Sequence, residues 1–375
     1  MRFEFSTAAR IVFGPGSLSQ LAEIVRELGA SRPLLVTGAH GARFPGVDGA
    51  ETFSIAGEPT VDRVRQGAEV ARTCDLVIAM GGGSVIDGGK AIAALATNPG
   101  DPLDYLEVIG KGQPLRMQPL PFIAIPTTAG TGSEVTRNAV LGSSEHGVKA
   151  SLRSAMMLAK VAIVDPELTR DLPPQITAST GLDALTQLIE PFVSPRANPV
   201  TDSVCVDGMR RASVYLPRAY ADGRDAEARE NMSLASLFGG LALANAGLGV
   251  VHGFAAPIGG MFEAPHGAVC AALLPYGMQA NIHALRERAA EHPSLDRYAQ
   301  VARILTGDVA AIPEDGVEWV AQLCAHLAIR PLGAYGISAL HVADLVEKAA
   351  RASSMKANPI VLTSGELRDV LEQAL

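Results

Sequence analysis

Short apolar runs alternate with amphipathic stretches through the first half of the chain. Arg2–Ser6 and Arg10–Phe13 read as paired strands, Leu18–Leu28 as a helix, and Pro33–Thr37 as a strand ending at Gly38. Thr52–Ile55 is a further strand and Val61–Arg72 a helix opened by Pro59-Thr60. Leu76–Met80 is apolar throughout, as a strand buried on both faces requires, and the helix after it ends at Asn98-Pro99-Gly100. Pro121–Ile125 and Val161–Val164 complete the strand-like runs. Strands alternating with helices predict an N-terminal α/β domain, residues 1–170, built on a mostly parallel, doubly wound (Rossmann-like) sheet. From about Leu172 only helical periodicity remains, at Gly181–Phe192, Val204–Ala219, Glu227–Ala246, Leu295–Leu305, Gly316–Leu327 and Val342–Ala352. This predicts an all-α C-terminal domain over residues 171–375. With no Ser/Gly linker and no fixed-period repeat, the two are expected to join closely around a cleft.

The run from Asp75 to Ala91 joins a buried strand, three glycines and a helix start. Gly81–Gly83 allow close backbone approach to a ligand, and Ser84 with Asp87 three residues on resembles a capping box, so the turn has the form of a phosphate-binding corner. A Walker A loop fails at Ser84 and Ala91, and the GxGxxG fingerprint is absent. The same residues also suit a plain strand-to-helix turn. A second polar loop, Pro126–Glu134, follows the strand Pro121–Ile125, and in such sheets ligands lie beyond the carboxyl ends of strands.

Composition narrows the partners. The 375 residues are 48% hydrophobic with a net charge of −8, which supports a large core and argues against nucleic acid as a partner. No apolar run reaches the roughly 18 residues of a membrane span, and the N-terminus lacks the pattern of a signal peptide. The four cysteines, Cys74, Cys205, Cys270 and Cys324, form no CxxC pair and read as reduced core residues. A cytoplasmic protein acting on a small molecule is expected, without a nucleic-acid or membrane partner.

The helical half carries a metal-like set. Asp183 and Gln187 stand four apart on one helix face, His252 lies near the turn Gly247–Gly253, and His266 opens a helix. One carboxylate and two imidazoles can hold a divalent cation and leave a position open. Singly, Asp183 also reads as a first-turn helix charge and each His as a satisfied core residue.

Taken in order, Gly81–Ser84, Pro126–Glu134, Gly181–Leu185, His252, Pro265–Gly267 and Ser354–Pro359 resemble the iron-containing (group III) alcohol dehydrogenase family over nearly the whole chain. The resemblance implies that Gly82, Gly83, Ser84 and Asp87 bind the pyrophosphate of a nicotinamide dinucleotide, with Thr127, Thr128, Thr136 and Lys149 contacting the rest of it. It implies metal ligation by Asp183, His252 and His266, with Gln187 standing where the family usually has a fourth ligand, His. Gln is a weaker, harder donor, so three readings stand: Gln187 ligates, the site works with three ligands, or it is partly degenerate. Fe(II) and Zn(II) both remain open. Ala256 stands where many alcohol-active relatives have another His; His40 or a water chain is the available substitute. Gly38 replaces an Asp frequent in NAD-preferring relatives and Arg43 is nearby, which leans the choice between NAD and NADP slightly toward NADP.

The expected activity is reversible hydride transfer between NAD(P)(H) and a small alcohol/aldehyde or ketone, with the cation as Lewis acid. The alternatives are a lyase similar to dehydroquinate synthase and a metal-depleted, non-catalytic dinucleotide-binding protein. The resemblance and a potential edge strand at Arg2–Ser6 further imply a homodimer.

Overall fold

The computed structural model describes residues 2–47, 49–143 and 145–375. The chain forms two compact units, Ser6–Arg170 and Asp171–Leu375, the latter joined by residues 2–5. In chain order the first unit holds β1 (Arg10–Phe13), α1 (Leu21–Glu27), β2 (Pro33–Thr37), β3 (Glu51–Ser54), α2 (Val61–Ala71), β4 (Leu76–Gly81), α3 (Gly83–Thr97), α4 (Pro102–Tyr105), β5 (Phe122–Pro126), β6 (Asn138–Ser143), β7 (Val148–Arg153) and β8 (Val161–Val164).

Six of these strands form one sheet in the order β1-β8-β5-β4-β2-β3, every pair parallel, while β6 and β7 make a separate antiparallel hairpin. Leu35, Ile78, Met80, Ile123, Ile125 and Ile163 face α1 in one core. On α3, a Cβ at Gly89 would stand 2.6 Å from Ala79 Cβ, so this helix packs against the sheet at backbone distance. The chain moves outward from β2 to β3 and returns to lay β4 on the other side of β2. That reversal is the topological switch point of a doubly wound sheet, and it sets Gly38 beside the glycine turn.

Two expectations are corrected. Arg2–Ser6 forms no strand, and β1 pairs in parallel with β8. The open sheet edge on that side is therefore β1 itself. Ser84 is not a cap: α3 starts one residue earlier, at Gly83, with Gly82 as N-cap and no side chain bonded to its end. The Asp87 carboxylate is taken instead by the Ser133 hydroxyl and the Val140 N–H.

The second unit is helical: α5 (Pro174–Val193), α6 (Pro199–Ala221), α7 (Ala226–Ala246), α8 (Val250–Met261), α9 (His266–Arg288), α10 (Pro293–Thr306), α11 (Pro313–His326), α12 (Val342–Arg351) and α13 (Ser364–Gln373). Every α5 residue from Gly181 to Val193 is buried, which marks it as the central helix rather than an amphipathic surface one. Among the described residues no single helix is long and apolar enough to cross a membrane.

Lys90, buried on α3, fixes the loop after β5. Its ammonium donates to Ser133 O (2.8 Å), Thr136 Oγ1 (2.9 Å) and Asn138 O (2.6 Å), and Asp87 Oδ1 lies 3.4 Å away. Glu134, in the same loop, is also buried, and burial pushes its carboxyl up to about 7 against the opposing pull of Lys90. A raised carboxyl pKa means the folded state keeps a proton that the unfolded chain releases. The associated stability is complete below the unfolded value of 4.5 and is lost as pH rises through about 7. Glu134→Gln, which mimics the protonated form, should therefore gain stability over the wild type as pH rises from 5 to 8, by up to about 3 kcal/mol. Chemical denaturation at the two pH values checks this; a difference that does not change with pH would refute it.

Candidate dinucleotide and metal centres

At the carboxyl ends of β2, β4 and β5 the structure assembles Gly38, Gly82, Gly83, Ser84, Thr127 and Thr128. The Thr127 N–H donates to Gly81 O at 2.9 Å, and a Cβ on Gly83 would meet Thr131 Cγ2 at 2.6 Å, so the glycine turn and the threonine-rich loop are in direct contact. With no side-chain cap, the amino end of α3 is available to an anion. Asp87 and Thr136 lie behind this surface with their side chains bound into the Lys90 network. Lys149 lies on β7, its ammonium 3.1 Å from Glu58 Oε1. His40 and Arg43 are exposed in the loop after β2.

The helical unit brings Asp183 of α5, His252 of α8, and His266 and Cys270 of α9 together, one potential donor atom from each lying within 4.8 Å of all the others. Asp183 Oδ1 is 3.4 Å from His252 Nε2 and 3.7 Å from His266 Nε2. Cys270 Sγ lies 3.8 Å from His252 Nε2 and 3.7 Å from His266 Nε2. α9 reaches α5 because residue 267 is glycine: a Cβ there would stand 2.6 Å from Ser179 O. Burial opposes charge on both imidazoles, yet the Cys270 sulfur and Asp183 outweigh it, raising His252 well above the ordinary histidine range and His266 to about 9.

The cluster thus draws positive charge. Asp183 Oδ1 and Gln187 Oε1 are buried without a hydrogen bond, which an all-protein core rarely tolerates and a cation would relieve. The donor set fits a divalent metal. Gln187 Oε1 packs over α7, 3.5 Å from where a Cβ on Gly239 would stand. Ala256, one turn beyond His252, adds no polar group.

Sequence reasoning missed two residues. Cys270 was placed in the core, although its position one turn after His266 on a helix is the available signal. Glu190 was not singled out; its Oε2 is 2.7 Å from His252 Nδ1 and its Oε1 accepts the Val251 N–H at 2.8 Å. A carboxylate on the far ring nitrogen fixes the tautomer and turns Nε2 toward the cluster.

Comparison with known proteins gives a consistent result. The family described as iron-containing alcohol dehydrogenase matches residues 8–166, and the C-terminal domain of the Fe-containing alcohol dehydrogenase family matches residues 177–375. Long-chain-alcohol dehydrogenase 1 of Geobacillus thermodenitrificans is 36% identical, over 98% of this chain and 97% of its own. Among solved structures, a 1,3-propanediol oxidoreductase superimposes with a TM-score of 0.91 at 32% identity, covering 100% of both chains. A sulfoacetaldehyde reductase of Bifidobacterium kashiwanohense, solved with NAD+, gives a TM-score of 0.87 at 32% identity, covering 100% of this chain and 99% of that one.

Glu190→Gln would keep the shape but place an amide against His252 Nδ1. Metal affinity measured by chelator competition should fall about 10–100-fold, the scale of losing a carboxylate behind a ligating histidine. An unchanged affinity would show that Glu190 serves only to hold the α8 backbone.

Proposed function

The chain belongs to the iron-containing alcohol dehydrogenase family, and from that premise we propose that Asp183, His252 and His266 hold the metal at which a small alcohol is oxidised or a small aldehyde or ketone is reduced. The protein is a metal-dependent oxidoreductase that transfers a hydride between a nicotinamide dinucleotide and such a substrate; its relatives favour neither a lyase nor a non-catalytic binding protein. The observation carrying the residue assignment is the unsatisfied, buried Asp183 oxygen flanked by two imidazole nitrogens. The bound groups supply Lewis acidity and the hydride-carrying ring.

The residues supply position and charge. Glu190 orients His252 and holds the first turn of α8. Asp183 brings one negative charge from a buried helix, so its geometry does not depend on a mobile loop. In the α/β unit, Gly82, Gly83 and Ser84 offer the amino end of α3 to the pyrophosphate, and Thr127 and Thr128 line the adjoining loop. The Lys90–Asp87–Ser133 network keeps that loop against the turn.

NADP(H) is accepted in this reading. Gly38 ends β2 without a carboxylate, and a Cβ there would meet only Val85 Cγ2, at 3.8 Å, so space does not dictate the glycine. A homodimer with an exposed β1 edge is part of the same proposal.

Two outcomes test this reading. Chelator-stripped protein should lose aldehyde-dependent oxidation of NAD(P)H and recover it when a divalent metal is returned; carbonyl turnover with no net change in nicotinamide absorbance would instead indicate a lyase. Gly38→Asp should lower the NADP-to-NAD ratio of kcat/KM by about tenfold or more, through repulsion of the 2′-phosphate. A ratio unaffected by the substitution would place the ribose elsewhere.

A further inference from the structure

We infer that Cys270 is a ligand of the metal, completing an Asp/His/His/Cys donor set that selects zinc over iron. The inference rests on the metal reading of Asp183, His252 and His266 and adds a donor to it. Its first support is geometric. Bonds of about 2.0 Å to nitrogen or oxygen and about 2.3 Å to sulfur, at tetrahedral angles, separate the donors by about 3.3 Å, or about 3.6 Å where sulfur is one of the pair. The oxygen–nitrogen distances here are 3.4 and 3.7 Å, and the sulfur–nitrogen distances 3.8 and 3.7 Å. These four distances are close to that spacing and the other two pairs lie within 4.8 Å, so one tetrahedral cation can be shared by all four atoms.

The second support is the placement of the side chain. Cys270 lies one helical turn after His266 on α9, so both project from one face of the helix. It is fully buried, which a free thiol tolerates, but its sulfur lies against Nε2 of both histidines and within 4.8 Å of an Asp183 oxygen. Gln187 is the rival fourth donor. Its amide oxygen, buried without a hydrogen bond, packs over Gly239 of α7, whereas Cys270 Sγ lies within 4.8 Å of each of the other three donor atoms.

Donor chemistry then sets the metal. A thiolate is soft and favours Zn(II), whose affinity for mixed nitrogen and sulfur sites exceeds that of Fe(II). The thiolate and Asp183 together offset both charges of the cation, where a Gln187 amide would leave one. His266 keeps 36% of its side chain exposed while Asp183 and His252 are buried, so the accessible side of the cluster is at His266. A substrate would reach the cluster from that side, where a bound cation would supply Lewis acidity.

The test uses full-length wild type and the variants Cys270→Ser, Cys270→Ala and Gln187→Ala, each stripped with chelator and titrated with Co(II). Wild type and Gln187→Ala should show a near-ultraviolet thiolate-to-cobalt charge-transfer band that both Cys270 variants lack. Cys270→Ala should also bind Zn(II) more than about 100-fold more weakly, beyond the roughly 10–100-fold cost of losing an outer-sphere partner. Wild type offered equal Zn(II) and Fe(II) should take up zinc. Co(II) binding by wild type without the band, or metal loss in Gln187→Ala but not in Cys270→Ala, would overturn the inference and leave the three-residue metal reading intact. A folded wild type that binds none of the three metals would overturn both. If the Cys270 variants unfold, as thermal melts of the stripped proteins would reveal, the wild-type band alone decides.

Discussion

The helical unit's site depends on one buried carboxylate. Glu190 lies two turns beyond Asp183 on the same face of α5, and its two oxygens do separate work: one accepts the Val251 N–H and the other meets His252 Nδ1. A single side chain thus fixes where α8 begins and which way His252 faces. Asn358 supports the same helix end by accepting the Val250 N–H. α8 has no side-chain cap of its own; its orphan N–H groups are satisfied by residues distant in sequence. Close approach matters as well, because a Cβ at Gly249 would stand 2.8 Å from Asn358 Oδ1 and 2.9 Å from Glu190 Oε1.

The α/β unit meets the same constraint with the opposite charge. A buried ion is costly unless its hydrogen-bonding capacity is filled, and Lys90 is filled chiefly by the loop after β5 and by Asn138 at the start of β6. The loop is held because the ammonium needs it. Asp87 closes the arrangement by accepting from Ser133 and Val140, which ties α3 to the loop after β5 and to β6.

Much of this was legible in the pattern of the chain. Short apolar runs marked the strands of the parallel sheet, and the glycine turn marked the carboxyl end of β4, because both signals are local. The ends of elements were less legible. The local N-cap preference ranks Ser above Gly and so pointed to Ser84, but the consecutive glycines let α3 start at Gly83, which leaves Ser84 inside its first turn. The β6–β7 hairpin lies between the loop Pro126–Glu134 and the run Val161–Val164, where the pattern predicts no element. Asp183, Gln187, His252 and His266 were visible through an ordered set of motifs, whereas Glu190 and Cys270 belong to no spacing that distinguishes them from core residues. Their roles arise only when α5, α8 and α9 pack together.

A donor set carrying two negative charges raises the question of what favours negative charge on a substrate oxygen once the cation is neutralised. The fold supplies one answer beside His266. α9 begins at that residue with Pro265 as its N-cap, no side-chain hydrogen bond to its end and no acidic residue in its first turn. The α8 terminus differs, since Glu190 occupies it. A helix terminus carries roughly half an elementary charge, and its effect is strongest within the first turn. His266 occupies that turn and is the partly exposed member of the cluster, so the helix's positive potential lies on the accessible side of the cluster. Sulfur ligation would then lower the charge on the metal without making the site electrostatically indifferent to its substrate, with the helix supplying a fixed polarising field.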